Sequence, residues 1–261
     1  MIQLSNLSWR FLRVWRRNLI VYRKIWKVNF MVPLLEPTFY ILAFGIGFRG
    51  LISEVSYDQH PLTYTQFIAP ALVAISIMYN AFFETTYASF VRMYYQKTFD
   101  GMMTTPLSLE EIVLAEIVWS ATKATAAATI MSMVLALLGY VTLPQGLLIV
   151  PLAFLGGLAF GSVGMVFTGI IPSIDMFNLP TFLFITPMFL FSGTFFPVAG
   201  LPAWAQTAAL GFPLYHLVEL SRYCCLGLIE GSILVSLGYL TVFLLIFFWI
   251  SLVVMRRRLI K

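Results

Sequence analysis

Ionisable side chains are scarce in this chain, so each one that falls inside an apolar run is a candidate for chemistry. Glu36 stands between Pro33 and Pro37, and Glu84 lies near the end of a second apolar run. Lys123 follows Glu116 by seven residues, which puts both on one face of a helix. Glu219 and Arg222 are three apart and can pair on one helical face. An ion at membrane depth is costly unless paired or hydrated. Such groups therefore mark either packing ion pairs or the polar lining of a transport path. A proton-coupled carrier needs carboxylates near the midplane, and Glu36 alone is placed for that. The histidines are His60 and His216. His216 with Glu219 is the one dyad that a membrane-embedded hydrolase could use. Cys224 and Cys225 are adjacent; a vicinal disulfide is strained, so two free buried thiols are expected. No metal-ligand spacing can be built from these residues. The chain contains no G-x-x-x-x-G-K-S/T, no H-E-x-x-H and no G-x-S-x-G, so no P-loop binding of ATP is expected.

The elements that must hold these residues follow from composition. Of 261 residues, 60% are hydrophobic and 10% charged. A soluble domain of this size carries about a quarter charged residues, so bilayer is the solvent for most side chains. A helix crosses the hydrocarbon core in about 20 apolar residues. Six stretches qualify: 28–48, 65–90, 113–140, 147–171, 177–197 and 233–255. Before them, Leu4, Leu7, Phe11, Trp15, Leu19, Tyr22 and Trp26 recur every three or four residues, with seven Arg and Lys on the remaining surface. Residues 1–27 thus read as an amphipathic helix lying in the membrane interface, and 28–261 as a six-span permease domain. The N-terminus lacks the pattern of a signal peptide.

Basic residues set the orientation. With both termini in the cytosol, fourteen of the sixteen Lys and Arg lie inside, against Arg49 and Arg222 outside. Their clusters flank apolar runs, where they meet anionic lipid headgroups; no soluble basic domain exists to bind nucleic acid.

Two segments outside the spans stand out. The inner connection 91–111 is short and amphipathic. Gly101 can end one helix there, Thr105–Pro106 can bend the chain, and Ser108 with Glu111 forms a capping box that opens the next helix. The outer segment 192–231 is punctuated by Pro197, Gly200, Pro202, Gly211 and Pro213 yet stays apolar, with Trp204, Phe212 and Tyr215. That combination predicts a re-entrant helical hairpin at 198–231, between spans five and six. Gly157 and Gly161 form a G-x-x-x-G that lets another helix approach closely. The fold class expected is therefore an all-α membrane protein of six spans, with an N-terminal interfacial helix and this hairpin.

The chain resembles the type-2 ABC exporter permeases, in the branch of nodulation-factor, polysaccharide and drug exporters. Leu62-Thr-Tyr-Thr-Gln-Phe-Ile-Ala-Pro-Ala-Leu is similar to the family's start of span two, with Ala71 where Gly is usual. Phe99-Asp-Gly-Met-Met-Thr-Thr-Pro-Leu-Ser-Leu-Glu-Glu-Ile-Val-Leu-Ala-Glu is similar to its cytosolic elbow, with Ala115 where Gly is common. Phe191-Ser-Gly-Thr-Phe-Phe-Pro-Val-Ala-Gly-Leu-Pro-Ala-Trp and Phe212-Pro-Leu-Tyr-His-Leu-Val-Glu-Leu-Ser-Arg look like its span-five and re-entrant signatures.

The resemblance implies a transport subunit of a bacterial inner membrane, not an enzyme. Two permease chains would pair, a homodimer being the simplest case, and two cytosolic ABC ATPase subunits would dock below them. ATP and Mg would bind on that partner, with no cofactor on this chain. Tyr94, Tyr95, Lys97, Phe99, Asp100, Met102, Met103 and Pro106 would form the coupling helix. Glu36, Tyr40, Phe44, Tyr79, Phe83, Glu84 and Phe189 would line the path, and Trp204, His216, Glu219 and Arg222 would belong to the re-entrant segment. Aromatic faces suit sugar rings, flat drugs and lipid tails alike, which points to amphipathic or lipid-linked cargo, a glycan among the candidates. A stand-alone secondary transporter or channel and a lipid-acting membrane enzyme are the alternatives.

Overall fold

A computed structural model of the chain describes residues 8–27, 31, 35, 39, 43, 54–57, 60–142 and 144–260. Glu36, Tyr40, Phe44 and nearly all of the predicted span 28–48 lie outside the described residues.

With no water in hydrocarbon to satisfy the backbone, long apolar runs fold as helices. The first helix is α1 (Phe11–Lys24). A two-stranded ribbon follows, β1 (Val55–Tyr57) antiparallel to β2 (His60–Leu62), with Val55 opposite Leu62 and Tyr57 opposite His60. Thr63 then starts α2 (Tyr64–Tyr95) with a capping box, its side chain accepting from the Gln66 amide while the Gln66 side chain accepts from the Thr63 amide. Next come the short α3 (Thr98–Met103) and α4 (Leu109–Leu137), which begins at the predicted Ser108–Glu111 capping box. The remaining helices are α5 (Gln145–Ile170), α6 (Ile174–Phe191), α7 (Ala203–Leu210), α8 (Pro213–Leu226) and α9 (Ile233–Leu259). Among the described residues, α2, α4, α5, α6 and α9 are the helices long and apolar enough to cross a membrane. They coincide, within a few residues at each end, with five of the six predicted spans.

α5 is the central post, packed against α2, α4 and α9. Its glycines make that closeness possible. A Cβ on Gly157 would lie 2.7 Å from the Ala121 Cα of α4, and one on Gly164 would lie 2.8 Å from the Phe82 carbonyl of α2. The predicted G-x-x-x-G is thus spent on packing within this chain, against α4.

The bundle has two distinct ends. At one end sit α1, α3, the start of α4 and the finish of α9, where Arg256 pairs with Glu110 at 3.4 Å. At the other sit the ribbon, α7, α8 and the α4–α5 turn, whose Thr142 amide donates to the Cys225 carbonyl at 2.7 Å. The core divides accordingly. One large cluster runs through α2, α4, α5 and α8; a second, around Phe90, Phe99, Ile112, Phe177 and Met255, fills the α3 end.

Candidate functional site

Within the last third of α2 the helix widens into two π-turns, Glu84–Ala88 and Val91–Tyr95. Local polar groups stabilise the widening: the Thr86 hydroxyl donates to the Phe82 carbonyl at 2.7 Å, and Thr168 of α5 donates to the Thr85 carbonyl at 2.6 Å. π-turns inside α-helices are frequent at functional sites.

The widening brings Glu84, Ser89 and Arg92 together opposite Glu116, Trp119 and Lys123 of α4. Glu84 receives the Trp119 indole N–H at 3.0 Å and pairs with Arg92 at 3.0 Å and Lys123 at 2.7 Å. Glu116 accepts from the Arg92 guanidinium at two nitrogens, from the Ser89 hydroxyl at 2.6 Å, and from the Asn18 amide of α1 at 3.0 Å. Both carboxylates are buried, so these donors supply the solvation that water would otherwise give. The same-face pair Glu116 and Lys123 is split between two clusters, with Arg92 bridging them. α1 is held to α4 further by Trp15, whose indole donates to the Thr122 hydroxyl at 3.0 Å, and by Tyr22, edge-on to Trp119. Its inward face carries the polar Asn18 while Ile20 and Val21 are exposed.

Below this knot hangs the elbow. α2 ends at Tyr95, and the turn falls at Lys97, the one described non-glycine residue with positive φ (52°). Gly101, where a helix end was expected, lies inside α3, which runs two residues further to Met103; the expected bend at Thr105–Pro106 follows as a turn before Ser108 caps α4. The candidate coupling residues split into two groups. Tyr94, Tyr95, Lys97, Asp100 and Pro106 are exposed. Phe99 is fully buried in the cluster with Phe90 and Phe177, and Met102 and Met103 are half-buried against it. Phe99 anchors α3; the tyrosines and Asp100 face outward.

Of the candidate path residues, Tyr79, Phe83 and Glu84 line a cavity of about 590 Å³ with Asn80, Tyr87, Arg92 and Lys123. The Tyr79 and Phe83 rings stack at 5.4 Å, and Phe189 of α6 closes on Tyr79 at 6.2 Å. Aromatic faces and a knot of paired charges therefore share one opening.

At the opposite end, Arg222 is wholly enclosed. It pairs with Glu219 at 3.0 Å, donates to the Gly193 carbonyl, and lies over the rings of Phe67 (4.1 Å) and Tyr57 (4.8 Å). Glu219 also accepts from the Tyr57 hydroxyl at 2.6 Å and the Glu230 amide at 3.2 Å. Burial, with the Glu219 carboxylate beside it, holds the Tyr57 phenol well above the ordinary tyrosine range, so it remains the donor. This cluster ties together the ribbon, the start of α2, the end of α6 and α8. The His216–Glu219 dyad does not form. His216 is engaged by the Ser236 hydroxyl at 3.1 Å and the Leu210 carbonyl at 3.0 Å, and stacks on Tyr239 at 4.1 Å. Trp204, on α7, is exposed and touches Phe191. Both cysteines are buried free thiols.

Asn18, Ser89, Arg92, Trp119, Tyr57 and Gly193 were not among the sequence candidates. Asn18 carried a signal: it is the polar residue on the stripe of Phe11, Trp15 and Tyr22.

The sequence model of the ABC-2 type transporter family matches residues 10–226. Nodulation protein J of Rhizobium leguminosarum bv. trifolii is 40% identical over 257 residues, covering 98% of this chain and 96% of that protein. Nodulation protein J of Sinorhizobium fredii is 35% identical over 253 residues, 97% of this chain and 95% of that protein. Inner membrane transport permease YadH of Escherichia coli is 24% identical over 255 residues, 95% of each chain.

Proposed function

The chain belongs to the ABC-2 type transporter family, and from that premise we propose that it is the membrane permease of an ATP-driven exporter whose ATPase is a separate chain. Two permease chains pair in the inner membrane, with six spans each and both termini cytosolic. α1 lies at the inner interface, and α7 and α8 form the re-entrant hairpin at the outer face. The cargo is amphipathic or lipid-linked. A glycan headgroup is compatible with the Tyr79, Phe83 and Tyr87 wall of the cavity.

One observation carries the reading. The elbow presents Tyr94 and Tyr95 at the end of α2 and Asp100 on α3 to the outside, while Phe99 roots α3 in the core. A helix exposed on one side and anchored on the other can transmit force from a partner, whereas a flexible loop would absorb it. ATP and Mg on the partner supply the differential affinity that shifts the ATPase pair between open and closed states. Closure displaces α3, and the Arg92-centred knot carries that displacement to α1, α2 and α4 as one body. The stand-alone carrier is the weaker reading because the chain's family is that of ABC-2 type transporters; both Glu84 oxygens are engaged by Trp119 and Lys123, and Glu36, the carboxylate such a carrier would use, lies outside the described residues.

A photo-crosslinking amino acid at Tyr95, introduced in native cells, tests this. Capture of a P-loop ATPase is expected. Capture of lipid alone would remove the coupling assignment.

A further inference from the structure

A second cavity, of about 340 Å³, opens between α1 and the α2–α4 pair. Its volume is in the range of small-ligand clefts. Its wall is split by chemistry. Arg17 from α1 and Arg92 and Lys123 from the α2–α4 pair supply cations, Glu84 a carboxylate, Asn18, Gln96 and Trp119 polar groups, and Val21 and Ile25 exposed apolar surface on the α1 side.

Charge decides what this cavity can take. Arg92 is shared between Glu84 and Glu116, and Lys123 pairs with Glu84. Three cations thus face two carboxylates, and one positive charge is left over. It belongs to Arg17: among the described residues its hydrogen-bond partner is the Asn18 side-chain carbonyl at 3.1 Å, and no carboxylate pairs with it. Lys123 adds donor capacity, since its ammonium has three N–H groups and makes one carboxylate contact, with the Tyr22 ring 5.8 Å away. An excess of one charge selects a monoanion. The exposed apolar surface selects a molecule whose tail runs out beside Val21 and Ile25. Arginine's fixed fork of donors matches tetrahedral oxygens.

We propose that this cavity binds the phosphodiester of an anionic membrane phospholipid, with Arg17 and Lys123 as its donors. The inference rests on the reading that α1 lies at the cytosolic membrane interface, where such headgroups are concentrated. A bound headgroup would fasten α1 to the knot. Anionic lipid would then strengthen the connection between the N-terminal helix and the elbow.

The test uses the full transporter, permease with its co-purified ATPase, and native mass spectrometry. The probes are short-chain phosphatidylglycerol and, as the zwitterionic reference, short-chain phosphatidylcholine. Both lipids carry the phosphodiester, but phosphatidylcholine also brings a cation that the cavity's excess positive charge repels, so the wild type is expected to retain phosphatidylglycerol about tenfold more tightly. R17Q should bring the ratio close to one, and R17K should restore part of it. R16Q changes an exposed arginine that does not line the cavity, and it should leave the ratio unchanged. Equal retention of both lipids, an equal loss in R16Q, or displacement by inorganic phosphate at the same concentration would each overturn the proposal. Absence of the ATPase from the preparation would count against the permease reading instead, so the two failures are distinguishable.

Discussion

Replacing Glu84 by glutamine keeps the shape of the side chain and removes its charge, which isolates what the knot does. In the native protein Glu84 is the sole carboxylate partner of Lys123 and one of two for Arg92 among the described residues. Side-chain exposures are 6% for Glu84, 15% for Arg92 and 21% for Lys123. Stranding one partner of a fully buried ion pair costs about 3–5 kcal/mol. Here Lys123 retains some solvent and Arg92 retains Glu116, so we expect a loss of about 2–3 kcal/mol for Glu84→Gln. For a chain of this size that lowers the melting temperature by about 4–12 °C. Lys123→Gln should cost less, because Glu84 keeps Arg92 and Trp119. The double variant should recover about 1–2 kcal/mol relative to the sum of the single changes. Thermal melts of the detergent-solubilised transporter measure all three. A Glu84→Gln shift under 1 °C, or strict additivity in the double variant, would refute the account of the knot as a coupled unit.

Other consequences follow from packing and burial. Gly164→Ala should destabilise by about 1–3 kcal/mol, because its Cβ meets the backbone carbonyl of Phe82. Gly101→Ala has open space and sits inside α3, so it should be neutral or gain up to about 1 kcal/mol; melts of both variants check the contrast. Arg222→Lys keeps the charge but loses the fork that reaches both Glu219 and the Gly193 carbonyl, and should lower the melting temperature and speed proteolysis of segment 192–202. Cys224 and Cys225 should resist maleimide in the folded protein and react only after denaturation, as followed by mass.

Much of this architecture can be read from residue order, because hydropathy and capping are local signals. The spans after residue 60, the Ser108–Glu111 start of α4 and the Glu219–Arg222 pair all depend on neighbours within a turn or two. What could not be read depends on widening or on distance. No residue pattern announces the π-turns at Glu84 and Val91, yet they aim Arg92 between two carboxylates. Glu116 and Lys123 share a helix face, but their partners come from α1 and α2, 24 to 98 residues away. The β1–β2 ribbon has three residues per strand, one of them Pro61, and looks like a loop. The bend expected at Thr105–Pro106 is a turn, but the first short helix runs two residues past Gly101 to Met103, and the left-handed turn at Lys97 that precedes it has no glycine to announce it.

The central claim, a permease moved by a separate ATPase through α3, is tested most directly by purifying the protein from its native membrane in mild detergent. Tyr95→Ala with Asp100→Arg alters only exposed elbow residues and leaves the Phe99 anchor in place. The account predicts a P-loop ATPase in near-equal amount with the wild type, and its loss from the variant while insertion and melting temperature are retained. A stable oligomer with no ATPase, or undiminished recovery with the variant, would contradict it.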